Sequence, residues 1–372
     1  MIPYDRLTPE QDQALEAPLD RPLIVQGPVG SGRSTIAAYR SLVRVAADQP
    51  ALIVVPDLLR KHRLIRMTGD RAGSRLRVIT LAELPGVLLP GSQAVSREDN
   101  DGWVQLTMRA VERSVRTVSS GWAIAFDDAH DQPVRAIEFA RLFDPAVCIT
   151  VDPDVLVVGD DVGRRDVTGW TGQGWGRVEL GPSHRLLPAA AGLIAAWRRR
   201  PPPRTSITDE RPVTCLTAMD PVTVTDFVGH LARRDKKQRI AVVCLQRHLL
   251  SEISSRLRPA VGERRYLPVF GGVTHPPDSR SAGPIVQLSE VRSVRGNEFE
   301  VVVVMGLTDH SDRPDDERLV DSLARACGAA RRAVYFVTEG SAAPRLLSDL
   351  PGIDPGTLEI GRVDEVLSSA MP

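Results

Sequence analysis

The chain has 372 residues, 47 basic and 47 acidic side chains and a formal net charge of zero. That length predicts two domains, each able to bury its own core. The balanced charge gives no global basic field for nucleic acid, although a local basic groove stays compatible with it.

The chain opens on the polar run Met1 to Arg6, which predicts no secretory leader. The four cysteines, Cys148, Cys215, Cys244 and Cys327, are scattered without metal or redox spacing, and the expectation is ordinary thiols in a reducing cytoplasm. Apolar runs such as Val301 to Val304 are far too short to span a bilayer, so no membrane partner is expected. One bias colours every basic position. The only lysines are Lys61, Lys236 and Lys237, and the other 44 basic residues are arginine.

Leu23 to Gln26 reads as a short strand and Ser34 to Arg44 as a helix. Between them lies Gly27-Pro28-Val29-Gly30-Ser31-Gly32-Arg33-Ser34-Thr35, a phosphate-binding loop with arginine in place of its lysine. Strand, glycine loop and helix are the context the motif needs. Gly27, Gly30 and Gly32 let backbone N–H groups approach phosphates, and the helix N-terminus favours the anion. Ser34 is the candidate hydroxyl for Mg²⁺. Arg33 is bulkier and planar where lysine is a compact charge, so binding and hydrolysis need not go together.

Further strands are expected at Leu52–Val55, Val78–Thr80, Ile124–Phe126 and Val147–Val151, and then at Val213–Leu216, Ile240–Leu245, Ile285–Leu288, Val301–Met305 and Ala333–Val337. Helical patterns fall between them at Trp103–Val118, Ala189–Arg199, Val224–Arg234 and Ser251–Leu257. The continuous Val/Ile/Leu runs suit buried parallel strands, and the alternation predicts two parallel α/β domains. The expected boundary precedes Leu180, giving domains over 1–178 and 179–372, with Pro201-Pro202-Pro203 as a loop inside the second.

Ala123 to Phe126 delivers Asp127 and Asp128 to the C-terminal end of a strand, the edge where parallel sheets bind ligands. One carboxylate, Asp127, can hold Mg²⁺ while Asp128 orients or deprotonates water. Trp170 and Trp175, in a glycine-rich loop, either offer a stacking platform, dock a partner or pack over the sheet edge.

Several segments in order resemble motifs of the UvrD/Rep-like superfamily 1 helicases. Leu7-Thr8-Pro9-Glu10-Gln11 resembles the glutamine motif. Asp127-Asp128-Ala129-His130-Asp131 resembles Asp-Glu-Ala-Gln-Asp, and Val151-Asp152-Pro153-Asp154-Val155 resembles Gly-Asp-Pro-Asp-Gln. Ser183-His184-Arg185 is similar to a segment ending Asn-Tyr-Arg, Arg295 to Glu300 to Lys-Gly-Leu-Glu-Phe-Asp, and Ala324-Arg325-Ala326 to a final Thr-Arg-Ala. The resemblance implies two RecA-like domains of the phosphate-loop NTPase class, with ATP in a cleft between them. It implies that Gln11 reads adenine, His184 takes the place of a base-stacking aromatic, and Glu298 contacts ribose. Arg185 and Arg325 take the place of γ-phosphate arginine fingers. The implied activity is that of an ATP-hydrolysing DNA helicase or translocase with single-stranded nucleic acid as partner.

The departures are Arg33 for lysine, Asp128 for glutamate, Val155 for glutamine and Ala324 for threonine. Small displacements in such a site cost orders of magnitude in rate. The stretches between Leu64 and Trp122 and between Arg185 and Glu298 leave little room for the family's inserted domains. The expectation is therefore an ATP-binding, helicase-type core with weak or absent hydrolysis. Its rival is an inactive pseudo-helicase acting as a nucleotide-gated scaffold for a protein partner. An unrelated phosphate-loop kinase or GTPase is a third reading, against which the second α/β half and the Glu298 and Arg325 motifs count.

Overall fold

The computed structural model describes residues 3–114, 121–153, 174–199, 201–209, 211–218, 221–235, 237–269, 286–294, 298–307, 317–340, 342–348, 350 and 356–369. The chain forms two compact units, Met1–Pro182 and Ser183–Pro372.

The first unit runs α1 (Pro9–Glu16), β1 (Leu23–Gln26), α2 (Arg33–Ala46), β2 (Ala51–Val55), α3 (Leu58–Thr68), β3 (Leu76–Thr80), α4 (Leu84–Leu88), α5 (Asn100–Ser114), β4 (Ala123–Phe126), α6 (Val134–Arg141), β5 (Cys148–Val151) and β6 (Gly176–Glu179). Its six strands are all parallel, in the order β3-β2-β4-β5-β1-β6. Alternation along each strand feeds two cores. Ile24, Leu52, Val54, Ile124, Phe126 and Ile149 pack with Trp103 and Phe139 on one face. On the other, Val25, Ala125 and Cys148 pack with Ile36 of α2, and Ile53 and Val55 with Leu64 of α3.

The second unit runs α7 (Pro188–Arg198), β7 (Val213–Ala218), α8 (Pro221–Arg234), β8 (Ile240–Cys244), α9 (Leu249–Val261), β9 (Tyr266–Val269), β10 (Val286–Glu290), β11 (Phe299–Leu307), α10 (Glu317–Ala329), β12 (Ala330–Glu339), α11 (Arg345–Ser348), β13 (Leu358–Arg362) and α12 (Val363–Ser369). Its seven strands are again parallel, ordered β13-β7-β12-β11-β8-β10-β9. The two-sheet parallel α/β architecture read from the sequence is thus the observed one. Proline starts α7, and Arg199 ends it in the left-handed region with φ 50°. The two units divide after Pro182, beyond β6, because Gly176–Glu179 hydrogen-bonds to β1 and so belongs to the first sheet.

The four cysteine thiols are buried and unbridged. Burial pushes Cys148 up to about 11 and Cys215 and Cys327 up to about 12, far from thiolate reactivity. Among the described residues no helix is long and apolar enough to cross a membrane.

The glycine loop's surroundings are fixed by one buried cation. Arg40 of α2 donates to the carbonyls of Ala14 (2.8 Å), Ala17 (2.9 Å) and Pro18 (3.1 Å), satisfying the C-terminal end of α1. Arg40→Leu should therefore destabilise the protein by about 3 kcal/mol, since hydrogen bonds to charged groups contribute roughly 1.5–3 kcal/mol each and the carbonyls stay buried. A shift in the urea midpoint at unchanged m-value reads this.

Candidate nucleotide site

The glycine loop turns between β1 and α2, and β5 lies between β1 and β4 in the sheet. The C-terminal ends of all three strands therefore meet at one edge, bringing Thr150 and Asp152 between the loop and the acid pair. Gly30 and Gly32 adopt φ of 82° and 98°, which side-chain-bearing residues rarely take. A Cβ on Gly32 would lie 2.3 Å from Gln11 Nε2, and one on Gly27 2.4 Å from Ser31 Oγ. A side chain at Gly32 would displace Gln11 and be strained at that φ, and one at Gly27 would also meet Leu180 Cβ at 2.9 Å.

Gln11 closes the loop from the α1 side. Thr8 and Gln11 form a capping box, with the Thr8 N–H donating to Gln11 Oε1 at 3.1 Å. Gln11 Nε2 donates to the Ser31 carbonyl at 2.8 Å. Both ends of the amide are thus held within the protein. Ser31 Oγ is buried and has no hydrogen-bond partner among the described residues.

The acid pair is divided between hydroxyls and guanidiniums. Asp127 accepts from Ser34 Oγ at 2.7 Å and from Thr150 Oγ1 at 2.8 Å. Burial raises its carboxyl, and neighbouring Asp128 raises it further. Asp128 sits in the left-handed region at φ 52°, and its N–H donates to Thr150 Oγ1 at 3.0 Å. Its carboxylate pairs with Arg33 Nη2 at 3.1 Å and Arg60 Nε at 3.3 Å. Burial alone would raise Asp128, but the two guanidiniums outweigh it and hold the carboxyl well below the usual range.

Arg33, only 8% exposed, bridges three groups. Nη2 meets Asp128, Nη1 meets Asp152 Oδ2 at 3.1 Å, and Nη1 also donates to the carbonyl of Gly27. Desolvation disfavours its charge, yet Asp152 and Asp128 more than compensate and the guanidinium is held firmly charged. Arg60 is fixed from the other side. Asp57 caps α3 by accepting from the Arg60 N–H at 2.9 Å, and Arg60 Nη2 pairs with Asp131 at 3.0 Å. His130 accepts from the Asp152 N–H at 3.1 Å through Nδ1, tying the β4 edge to the β5 edge.

In the second unit Arg185 and Glu298 come together at 2.8 Å, and Arg331 pairs with the same carboxylate. His184, beside Arg185, contacts Ser206 Oγ at 2.9 Å. Arg325 pairs with Asp321 one turn back on α10, which also takes Arg198 at 3.3 Å. Asp154, Val155 and Trp170 lie outside the described residues. Trp175 packs against the first core, with the Arg141 guanidinium 5.3 Å from its ring centre.

The sequence reading missed Arg60 and Thr150 and gave Asp152 and His130 no role. Arg60 carries a legible signal, an aspartate-capped helix start straight after a strand whose C-terminal edge faces the site. Thr150 is the one polar residue in an otherwise apolar run at the same edge.

The fold defines a class, the tandem parallel α/β proteins with a helicase-like fold. No protein-family model matches the sequence, and no curated protein does. Among solved structures the chain is similar to the DUF1998 helicase MrfA bound to DNA, at TM-score 0.50 and 13% identity, covering 90% of this chain and 49% of that one. It also matches the Arterivirus nonstructural protein 10 (helicase), in complex with DNA and alone, each at TM-score 0.43 and 16% identity over 92% of this chain. The chain spans 65% and 64% of those two chains. At these identities the likeness is one of fold.

Burial pushes His130 down to about 3. An unfolded histidine binds a proton near pH 6.5, whereas the native one stays neutral until much lower. Falling pH therefore favours the unfolded chain, by about 1.4 kcal/mol per pH unit once below about pH 6.5. Stability is expected to drop from about pH 6.5 down to about pH 3, and His130→Gln should flatten that slope in denaturant titrations.

Proposed function

We propose that the chain is a minimal, UvrD-like helicase-type protein. Its first unit binds ATP with Mg²⁺ and hydrolyses it weakly or not at all, in a role linked to single-stranded nucleic acid. The observation that carries the binding half is the loop itself. Gly27 and Gly32 have no room for a Cβ, Ser31 keeps a buried unpaired hydroxyl, and Ser34 lies within hydrogen-bond reach of Asp127. These residues suit a phosphate with a bound magnesium ion, which Ser34 and Asp127 would hold. Magnesium keeps much of its shell from phosphate and water, so one carboxylate and one hydroxyl suffice from the protein. The ion would neutralise phosphate charge.

The weak-hydrolysis half rests on Asp128. A general base works best when its pKa lies near the working pH. Asp128 is held far below that by Arg60 and Arg33, and its side chain is already paired on both oxygens. It is a poor acceptor for a proton from water. The same pairing favours the second reading, a nucleotide-gated scaffold or regulatory partner that does not turn over.

Gln11 is assigned to the adenine end. His184, Arg185, Glu298 and Arg325 are assigned to base, γ-phosphate, ribose and γ-phosphate respectively. Arg185 and Glu298 are paired with each other, so the two roles together require that pair to open.

Calorimetric titration with ATP and Mg²⁺ tests the reading, and saturable heat lost in Arg33→Ala is the expected result. No heat in the wild type overturns it. Any turnover should be stimulated by single-stranded DNA. Arg33→Lys with Asp128→Glu is expected to raise turnover by about tenfold or more, given the sensitivity of rate to placement. Continued silence of that variant favours the scaffold.

A further inference from the structure

Asp127 is 2% exposed, and three of its polar atoms are held by groups away from the glycine loop. Its N–H donates to the Val54 carbonyl at 3.0 Å, and its own carbonyl accepts from Gln132 Nε2 at 2.9 Å. Oδ1 accepts from Thr150 Oγ1 at 2.8 Å. Oδ2 alone turns to the loop, where it accepts from Ser34 Oγ at 2.7 Å.

The two hydroxyls on this carboxylate are held differently. Thr150 is fully buried on β5, level with Val25 of β1, and its branched side chain is stiff about χ1. The Asp128 N–H donates to the Thr150 oxygen at 3.0 Å. A backbone N–H can only donate, so the single proton of Thr150 is left for Asp127. Ser34 is half-buried in the first turn of α2, and its unbranched side chain changes rotamer more readily.

From this asymmetry we infer that Thr150 is the positioning residue of the metal-holding carboxylate. It anchors Asp127 Oδ1, so that Oδ2 and the Ser34 oxygen are the pair offered to a divalent cation. The inference rests on the nucleotide reading above and goes beyond it by assigning Thr150. A serine oxygen that lends a lone pair to a cation turns its proton away, so the Ser34–Asp127 bond is the one that opens. The Thr150–Asp127 bond stays, and the carboxylate keeps its orientation while its second oxygen changes partner. A ligand oriented beforehand loses less freedom on binding.

Thr150 has a structural duty as well, since it accepts the N–H of Asp128 in its left-handed turn. Loss of the hydroxyl therefore lowers stability whether or not Asp127 holds a cation. Added ligand separates the two effects. Urea midpoints are compared for the wild type, Thr150→Val and Thr150→Ser, each alone, with ATP in EDTA and with ATP and Mg²⁺. A ligand that binds only the native state stabilises it by RT ln(1 + [L]/Kd), so ATP at about 10 mM reads even millimolar affinities.

Valine keeps the shape of threonine and removes the hydroxyl. Thr150→Val should show a lower midpoint without ligand and an unchanged gain from ATP in EDTA. Its gain from ATP with Mg²⁺ should shrink by the equivalent of roughly tenfold weaker binding, the scale on which partners of metal ligands act. Thr150→Ser keeps both hydrogen bonds and should restore that gain. If Thr150→Val does not fold, Thr150→Cys, with a weaker donor and acceptor of similar size, takes its place under the same expectations. A purely structural hydroxyl would lower the ligand-free midpoint and leave both gains at their wild-type size, which overturns the positioning role. An equal loss of both gains overturns it too, as does a wild type that ATP stabilises equally with Mg²⁺ and in EDTA. In those cases the nucleotide reading stands. A wild type that ATP stabilises under neither condition overturns the nucleotide reading, and the positioning role with it.

Discussion

Taking the Arg33 guanidinium out of water costs several kcal/mol unless its charge is matched at close range. Asp128 and Asp152 match it, each at 3.1 Å. These two aspartates follow different strands, β4 and β5, and the arginine starts a helix that follows a third, β1. The pairing works only if the three strands reach one edge of the sheet in a fixed register, with Gln26 level with Val151 and Phe126 with Ile149. Parallel registers Leu23↔Cys148 to Gln26↔Val151 and Ala125↔Cys148 to Phe126↔Ile149 achieve that. A slip of one residue would turn alternate side chains to the wrong face and strand the guanidinium. The ion cluster thus makes the loop, the acid pair and the sheet register mutually dependent.

Within that frame Asp127 and Asp128 become chemically distinct although they are adjacent. Asp127 is solvated by hydroxyls from Ser34 and Thr150 and its carboxyl is pushed up. Asp128 is solvated by guanidiniums and its carboxyl is pushed down. Thr150 serves both, donating to one carboxylate and accepting from the other's backbone N–H. A hydroxyl-bound carboxylate can exchange its partner for a cation at modest cost. A doubly ion-paired one gives up its partners only at a larger cost.

Much of this was legible in the sequence, for a physical reason. Strands buried on both faces must be apolar throughout, and runs such as Ile240 to Cys244 and Val301 to Val304 declare themselves. The three strands that go unannounced, β6, β9 and β13, all lie at sheet edges. There the apolar requirement lapses, so Gly-Arg-Val-Glu forms β6, Tyr-Leu-Pro-Val forms β9 with a tolerated proline, and Leu-Glu-Ile-Gly-Arg forms β13. The loop and acid pair were legible because their residue types are tied to phosphate and metal chemistry. For Arg60 the sequence shows the aspartate-capped helix start but not that its side chain enters the site, which depends on which way the helix face turns. The Arg33–Asp152 pair was not legible, since it depends on β5 lying between β1 and β4, an order that adjacency in sequence does not reveal.

Arginine outnumbers lysine so heavily that the presence of arginine at position 33 says little by itself. Its geometry says more. A lysine ammonium is a compact charge on a flexible stem, whereas the guanidinium is a planar fork that can hold two acceptors in fixed directions at once. Arg33 uses both tines, Nη2 for Asp128 and Nη1 for Asp152 and the Gly27 carbonyl. Arg40 spans three carbonyls and Arg60 reaches two buried aspartates in the same way. In this chain the guanidinium is a bridging element as much as a charge. A composition rich in arginine therefore lets one side chain bridge the Gly27 carbonyl and two strand-end carboxylates in fixed directions, which the point charge of a lysine does not fix.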